Sequence, residues 1–199
     1  MASILVVCTG NVCRSPIVEG LLRAAMQRRF GERAPSVASA GTAGWEDSGA
    51  TRESVLAAAD IGVDIDGHRA RRLLAEHVRE ATLVIAMAGE HREDVSMLVP
   101  GAMDRTFMLK ELVRLVEALP APAEGTGPGP GLTSRVAEAA ELRRSGFEGD
   151  PQDEDVADPL GKPLRTYRAL ARELETWCAR LDEGLFGRAY SARAAAEGE

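Results

Sequence analysis

The chain is poor in cysteine, histidine and positive charge, and it has no long apolar run. Cys8, Cys13 and Cys178 are its three cysteines. So odd and sparse a set makes a poor disulfide framework and points to a reducing compartment. The three histidines, His68, His77 and His91, occur singly and suggest no metal site; His77 and His91 read as solvated helix positions. Lysine occurs only at Lys110 and Lys162, and 24 basic residues against 31 acidic ones leave a net charge of −7. That balance argues against nucleic acid or an anionic membrane as partner, so any basic surface must be local, gathered around an anion pocket. No run approaches the length of a transmembrane helix. The apolar stretch at the N-terminus is strand-sized and lacks a charged leader, so it reads as part of the fold and not as a signal peptide. A cytoplasmic protein without metal or cofactor is the expectation.

What is present is ordinary for a soluble domain: 45% hydrophobic and 28% charged residues over 199 positions, enough for one full core. Ile4–Val7 reads as a buried first strand, followed by a helix over Ser15–Phe30 in which Pro16 suits the first turn. Ser36–Ala40 reads as a strand, Thr51–Ile61 as a helix stopped by Gly62, and Leu73–Val78 as one or two helical turns. Thr82–Met87 reads as a strand, Glu90–Leu98 as a helix, Asp104–Met108 as a strand and Lys110–Leu119 as a helix. Strands alternating with helices predict an α/β fold, a parallel sheet covered on both faces. Pro120–Gly131 has no apolar periodicity and reads as a flexible connector, Leu132–Ser145 holds a short helix, and Glu148–Asp155 is acidic and loop-like. An amphipathic helix is predicted over about Leu164–Leu185, with Tyr167, Leu170, Leu174, Trp177 and Leu181 on one face. The expected organisation is a single domain over 1–188, with a flexible Pro/Gly-rich insertion over about 120–155 and a frayed tail over 189–199.

The informative stretch is Cys8-Thr9-Gly10-Asn11-Val12-Cys13-Arg14-Ser15-Pro16, a small-residue loop between the first strand and its helix. Backbone N–H groups in such a loop and at a helix start form an anion cradle. A Cys8 thiolate there is stabilised by the helix dipole and by Arg14. Cys8 can attack phosphorus and carry a thiophosphate ester that water then hydrolyses. Arg14 can grip two phosphoryl oxygens with its planar fork. A cation at a helix start opposes the dipole unless an anion lies between them. Gly10 and Asn11 allow the positive φ values that aim successive N–H groups inward. Ser15 can hydrogen-bond the Cys8 sulfur as well as cap the helix. Thr9, Val12 and Cys13 complete the phosphate-binding loop.

A leaving oxygen needs a proton. Asp158, in Asp158-Pro159 just before the last helix, is the candidate general acid, because Asp-Pro makes a stiff loop with the carboxylate on its shoulder. Asp150-Pro151 is a competing pair, less close to that helix. Cys13 follows Cys8 closely enough for a reversible protective disulfide; a small buried side chain is the equal alternative.

These residues resemble the low-molecular-weight protein tyrosine phosphatase family of bacterial type. The family's signature, a cysteine, five residues, an arginine and Ser-Pro, stands at Cys8–Pro16. Ser39-Ala40-Gly41-Thr42 with Trp45 resembles its second loop, Gly67-His68-Arg69-Ala70-Arg71 its His-x-Ala-Arg segment, and Asp158-Pro159 its acid. The resemblance implies a three-layer fold with a four-stranded parallel sheet in the order 2-1-3-4. It implies that Asn11, Ser39 and His68 form a buried polar network holding the phosphate loop, and that Trp45 forms a wall for an aromatic ring. The reaction implied is hydrolysis of phosphotyrosine through a phosphocysteine, with an acidic optimum. The implied partner is a phosphotyrosine protein, a bacterial tyrosine kinase being one candidate.

Two departures stand out. Leu160 follows Asp-Pro where the family usually has an aromatic, so the other wall of the substrate slot is aliphatic. The 120–155 segment is longer than the family's usual connection and reads, on composition, as inert. Arsenate reductases of the same fold need a further cysteine pair, whereas only Cys178 lies outside the loop. Relatives assigned as arginine phosphatases carry threonine where this chain has Val12, whose extra methyl favours an aryl ester. A non-catalytic phosphate-binding module would need neither Cys8 nor Asp158.

Overall fold

The computed structural model describes residues 2–122, 127–147 and 154–187. Four strands, β1 (Ser3–Cys8), β2 (Ser36–Gly41), β3 (Leu83–Ala86) and β4 (Thr106–Met108), form one sheet in the order β2-β1-β3-β4. All three pairings are parallel, and in-register contacts such as Val6 with Ser39 and Ile85 set β1 in the interior.

The seven α-helices among the described residues are α1 (Arg14–Phe30), α2 (Arg52–Ala59), α3 (Ala75–Glu80), α4 (Gly89–Leu98), α5 (Leu109–Ala118), α6 (Pro130–Arg144) and α7 (Leu164–Phe186). Side-chain alternation along β1 assigns the helices to its two faces. Ile4, Val6 and Cys8 join Ile17 and Leu22 of α1, Leu112 of α5 and Leu174 of α7 in one core. Leu5 and Val7 join Val78 of α3 and Val95 of α4 in the other. Each large aliphatic so buried contributes about 1.5–3 kcal/mol, so burial on both faces fixes the strands more firmly than local propensity does.

Several boundaries differ from the sequence expectation for identifiable reasons. Leu73 is not helical: its N–H bonds to the Gly41 carbonyl and Arg72 bridges to Gly41, so the chain stays extended and α3 begins at Ala75. Residues 104 and 105 belong to a short 3-10 helix over Pro100–Arg105 and not to β4. The larger correction concerns the Pro/Gly-rich segment. Its Pro130 sits in the first turn of a helix of 15 residues, where proline is tolerated. Leu132, Val136, Ala139 and Ala140 are buried in the main core. Arg135, although buried, is satisfied by the carbonyls of Gly184 and Val116 and by Glu138. Arg143 donates to the Thr106 carbonyl and lies 4.3 Å from the Phe107 ring centroid. Residues 130–144 are therefore part of the packed domain, not a flexible insertion. The tail from residue 188 and the Asp150-Pro151 pair lie outside the described residues.

The path from β1 to β2 runs one way across the sheet and the path on to β3 runs the other, so the order reverses between β1 and β3. Ligands of such sheets bind outside the carboxyl ends at that reversal. Two turns meet there: Cys8–Arg14 after β1, and Met87–Gly89 after β3.

Candidate active site

The loop after β1 is built around one strained residue. Asn11 has φ of 57°, the left-handed region that asparagine tolerates better than most side chains. Its side chain is fully buried and fully engaged. Nδ2 donates to Ser15 Oγ at 2.9 Å and Ser39 Oγ at 2.7 Å, while Oδ1 accepts from Arg71 N at 3.0 Å. His68 Nε2 donates to the Asn11 carbonyl at 2.7 Å. Glu19 accepts from Ser39 Oγ and lies 3.9 Å from His68 Nδ1. Asn11, Ser39 and His68 thus meet as one network under the loop. Gly10, by contrast, does not use positive φ; its open side is covered by the Trp45 ring. Gly41, which closes β2 in the segment that resembles the family's second loop, matters more here. A Cβ on Gly41 would lie 2.6 Å from the Thr9 carbonyl oxygen, so only glycine lets β2 approach the loop so closely.

Cys8 Sγ is buried, 2.9 Å from Ser15 Oγ and 3.3 Å from the Asn11 N–H. Among the described residues the N–H groups of Gly10, Val12 and Cys13 find no acceptor, which leaves them as donors for an anion. Cys13 faces elsewhere. Its sulfur lies 3.6 Å from Thr51 Oγ1 and 3.9 Å from the Tyr167 hydroxyl. Burial pushes its thiol above the usual range and pushes Tyr167 up to about 12. Val12 packs with Cys13, Ala57, Ala70 and Tyr167. Cys178 is buried on α7, where burial pushes its thiol well up.

Arg14 opens α1 and is almost entirely buried. Nη1 donates to the Val156 carbonyl at 3.2 Å, and Nη2 to Thr9 Oγ1 at 3.2 Å and to Asp158 Oδ2 at 2.8 Å. The structure thus brings Asp158 to the loop. The segment carrying it is tied down at its start: Val156 N donates to the Met87 carbonyl, and Asp155 Oδ1 accepts from Gly89 N at the start of α4. The Asp158 side chain itself is 46% exposed. Its Oδ1 accepts from Leu160 N at 3.0 Å, and Leu160 is exposed. Trp45 is half exposed beside Gly10, on a second loop laid along the first by Thr42 N to the Cys8 carbonyl and Ala43 N to the Thr9 carbonyl. No group of carboxylates, cysteines and histidines able to hold a metal occurs among the described residues.

The family model for low molecular weight phosphotyrosine protein phosphatase matches residues 3–126. The chain belongs to that family. It is 33% identical over 184 residues to a protein-arginine-phosphatase of Geobacillus stearothermophilus, across 92% of this chain and 95% of the relative. It is 42% identical over 108 residues to the low molecular weight protein-tyrosine-phosphatase Etp of Escherichia coli K12, across 53% of this chain and 68% of the relative. Two solved phosphatases share the fold. YwlE arginine phosphatase from G. stearothermophilus superposes with a TM-score of 0.67 at 32% identity, covering 93% of each chain. The low molecular weight protein tyrosine phosphatase from T. tengcongensis gives a TM-score of 0.67 at 32% identity, covering 92% of this chain and 99% of that one.

Besides Gly10, another residue of this phosphatase differs from its sequence reading. His91, expected in solvent, is fully buried, with Nε2 2.9 Å from Thr9 Oγ1. The available signal was its helical spacing from Val95, which is buried on the same face of α4. His77 is half-buried and accepts at Nδ1 from Leu74 N.

Proposed function

We propose that this chain hydrolyses phosphotyrosine on proteins through a phosphocysteine intermediate, with Cys8 as nucleophile, Arg14 as phosphoryl clamp and Asp158 as general acid. The observation that carries the reading is the meeting of a sulfur held by the Ser15 hydroxyl and the Asn11 amide with a buried guanidinium and a carboxylate from a distant segment. Phosphoryl oxygens compete for the Nη2 of Arg14 and for the unpaired loop amides. Asp158 is thereby released from Arg14 and turns to the leaving oxygen.

Cys8 sulfur attacks phosphorus in line, and the bond from phosphorus to the aryl oxygen breaks as Asp158 gives that oxygen its proton. Water then attacks phosphorus and yields its proton to Asp158. The sulfur leaves, supported by Ser15, and phosphate is released. No metal enters the scheme. Trp45 supplies one wall for the substrate ring and Leu160 the other. A phosphorylated bacterial tyrosine kinase is a fitting substrate, and free buried thiols fit a reducing cytoplasm.

The test is turnover of p-nitrophenyl phosphate. C8S loses activity entirely and D158N retains about a hundredth or less; turnover by C8S at the wild-type rate rejects the scheme. A second reading, phosphoarginine hydrolysis, is favoured by the likeness along nearly the whole chain to the arginine phosphatase. Paired phosphopeptides decide it. The tyrosine reading expects the higher kcat/KM on phosphotyrosine, because the apolar Val12 side chain favours an aryl ester.

A further inference from the structure

His91 has no part in the scheme above, yet it is completely buried at the sheet's reversal point, on the first turn of α4. Burial and the nearby Arg14 hold the imidazole neutral, with its pKa lowered to about 4. Such a residue has lost its hydration and needs a structural return. The charged groups facing it are Arg14 from α1, Asp155 and Asp158 from the acid segment, and Glu90 and Asp94 from its own helix.

The location of its proton follows from its neighbours. Nε2 lies 2.9 Å from Thr9 Oγ1 and 3.3 Å from Glu90 Oε1. A hydrogen on Nδ1 would be buried with no acceptor among the described residues, so Nε2 bears it and donates to Thr9 Oγ1. Nδ1 is then a bare lone pair, buried without a partner among the described residues. Thr9 Oγ1 receives a second donor, Arg14 Nη2, at 3.2 Å. With both lone pairs of Thr9 taken, its hydroxyl hydrogen remains to be given to another acceptor at the loop.

Arg14 has three anchors: the Val156 carbonyl, Thr9 and Asp158. The proposed reaction requires Asp158 to let go. Only Val156 and Thr9 then hold the guanidinium flat against the phosphoryl group. The turn that fixes Thr9 also fixes the acid segment, through Gly89 N to Asp155 and the Met87 carbonyl to Val156 N.

We propose that His91 is a positioning residue that pins the Thr9 hydroxyl, and through it the Arg14 guanidinium, for phosphoryl binding. The inference rests on the phosphatase reading. It is tested by inhibition with inorganic phosphate and by kcat/KM on p-nitrophenyl phosphate, in H91M, H91Q, T9V and the double variant H91M/T9V. Methionine fills the space without a donor, whereas glutamine returns an N–H near the Nε2 position.

H91M is expected to weaken phosphate inhibition and lower kcat/KM by about tenfold, the worth of one lost hydrogen bond at a charged site. H91Q restores most of that loss. T9V alone matches H91M, and adding H91M to T9V costs nothing more, because the histidine acts only through the threonine. Should H91M fail to fold, H91N, whose amide stops short of Thr9, takes its place with the same expectation. Unchanged phosphate inhibition in a folded H91M or H91N overturns the proposal. So does an additive loss in the double variant, or an H91Q that melts like wild type and is as impaired as H91M. A wild-type protein that turns over no phosphate ester at all instead rejects the phosphatase reading on which the proposal stands.

Discussion

The phosphate loop and the acid segment contribute to the same site but are built in opposite ways. The loop is continuous in sequence and sunk into the core. Cys8, Asn11, Arg14 and Ser15 are all buried, and the network beneath them reaches Ser39, His68 and Glu19. Among the described residues the acid segment is tied to the rest of the fold at Glu154, Asp155 and Val156, Pro159 is buried, and Asp158 is left half exposed on an ion pair with Arg14. The surroundings of the proposed nucleophile are thus set before any anion arrives, whereas the proposed acid is held by the guanidinium that a phosphoryl group would engage. The loop is preorganised where charge would be stabilised, and the carboxylate is left half exposed where the proposed scheme needs it to turn from Arg14 to the leaving oxygen.

Removing the acid breaks the comparison most sharply. D158N is expected to lower kcat by about a hundredfold to a thousandfold while leaving the loop intact. Inhibition by inorganic phosphate, which reports the loop, should not weaken. A kcat that stays at the wild-type level places the proton donor elsewhere.

The next contrast is between stability and rate. N11L removes three buried side-chain hydrogen bonds and leaves the Arg71 amide without its acceptor, while Ser39 keeps its bond to Glu19. At about 1–1.5 kcal/mol for each bond, with more for the amide left unpaired, a loss of about 4 kcal/mol is expected in denaturant unfolding, together with loss of activity. D155N keeps an oxygen that can accept from Gly89 N but removes the charge at the start of α4. It should cost less than about 1 kcal/mol. Its effect should fall on kcat and spare phosphate binding. Comparable stability losses in the two variants erase the distinction drawn between loop and acid segment.

His91 lies where the two parts meet, and its burial has a pH signature. Its pKa is lowered from 6.5 to about 4 in the folded chain, chiefly by burial and then by Arg14. The unfolded chain therefore binds this proton first as pH falls. The contribution to stability is whole above pH 6.5 and is lost as pH drops from there through about 4, where folded His91 also protonates. The difference amounts to roughly 3 kcal/mol. Urea midpoints compared at pH 7.5 and 4.5 should fall more for wild type than for H91Q, since glutamine cannot titrate. Equal falls remove His91 from the acid-sensitive part of the fold.

The two parts were also unequally legible in the sequence. The phosphate loop could be read because its residues are consecutive and each offset has a chemical use. Asp158 had only Asp-Pro and a following helix to mark it, and drew its weight from the resemblance. The strands and the longest helix showed in apolar spacing, since burial on both faces demands it. Helix α6 was legible from Leu132 on, but composition hid its start at Pro130 and its place in the core: proline and the neighbouring glycines suggest a connector, although Leu132, Val136 and Ala139 are buried. Gly41 entered only through the resemblance of its segment to the family's second loop, and the spacing of His91 from Val95 marks burial but no part in the site. Their roles depend on how closely α4 and β2 approach the loop, which no local pattern records.

The smallest expected effect concerns the edge of the site, where the acid segment faces substrate. Leu160 is 44% exposed two positions beyond Asp158, the proposed general acid, and Trp45, against the phosphate loop, is 46% exposed. Leu160 N already closes a turn onto Asp158 Oδ1, so a larger side chain there need not disturb the acid. An aromatic at this position adds a ring face to the slot without touching the reacting atoms. L160F should therefore raise kcat/KM for phosphotyrosine peptides by about threefold, in line with the lower range for an aromatic contact, and should do so through KM. Hydrolysis of a small alkyl phosphate, which has no ring to stack, should stay the same. An equal gain on both substrates attributes the effect to the acid segment's mobility, and the wall assigned to Leu160 is then no wall.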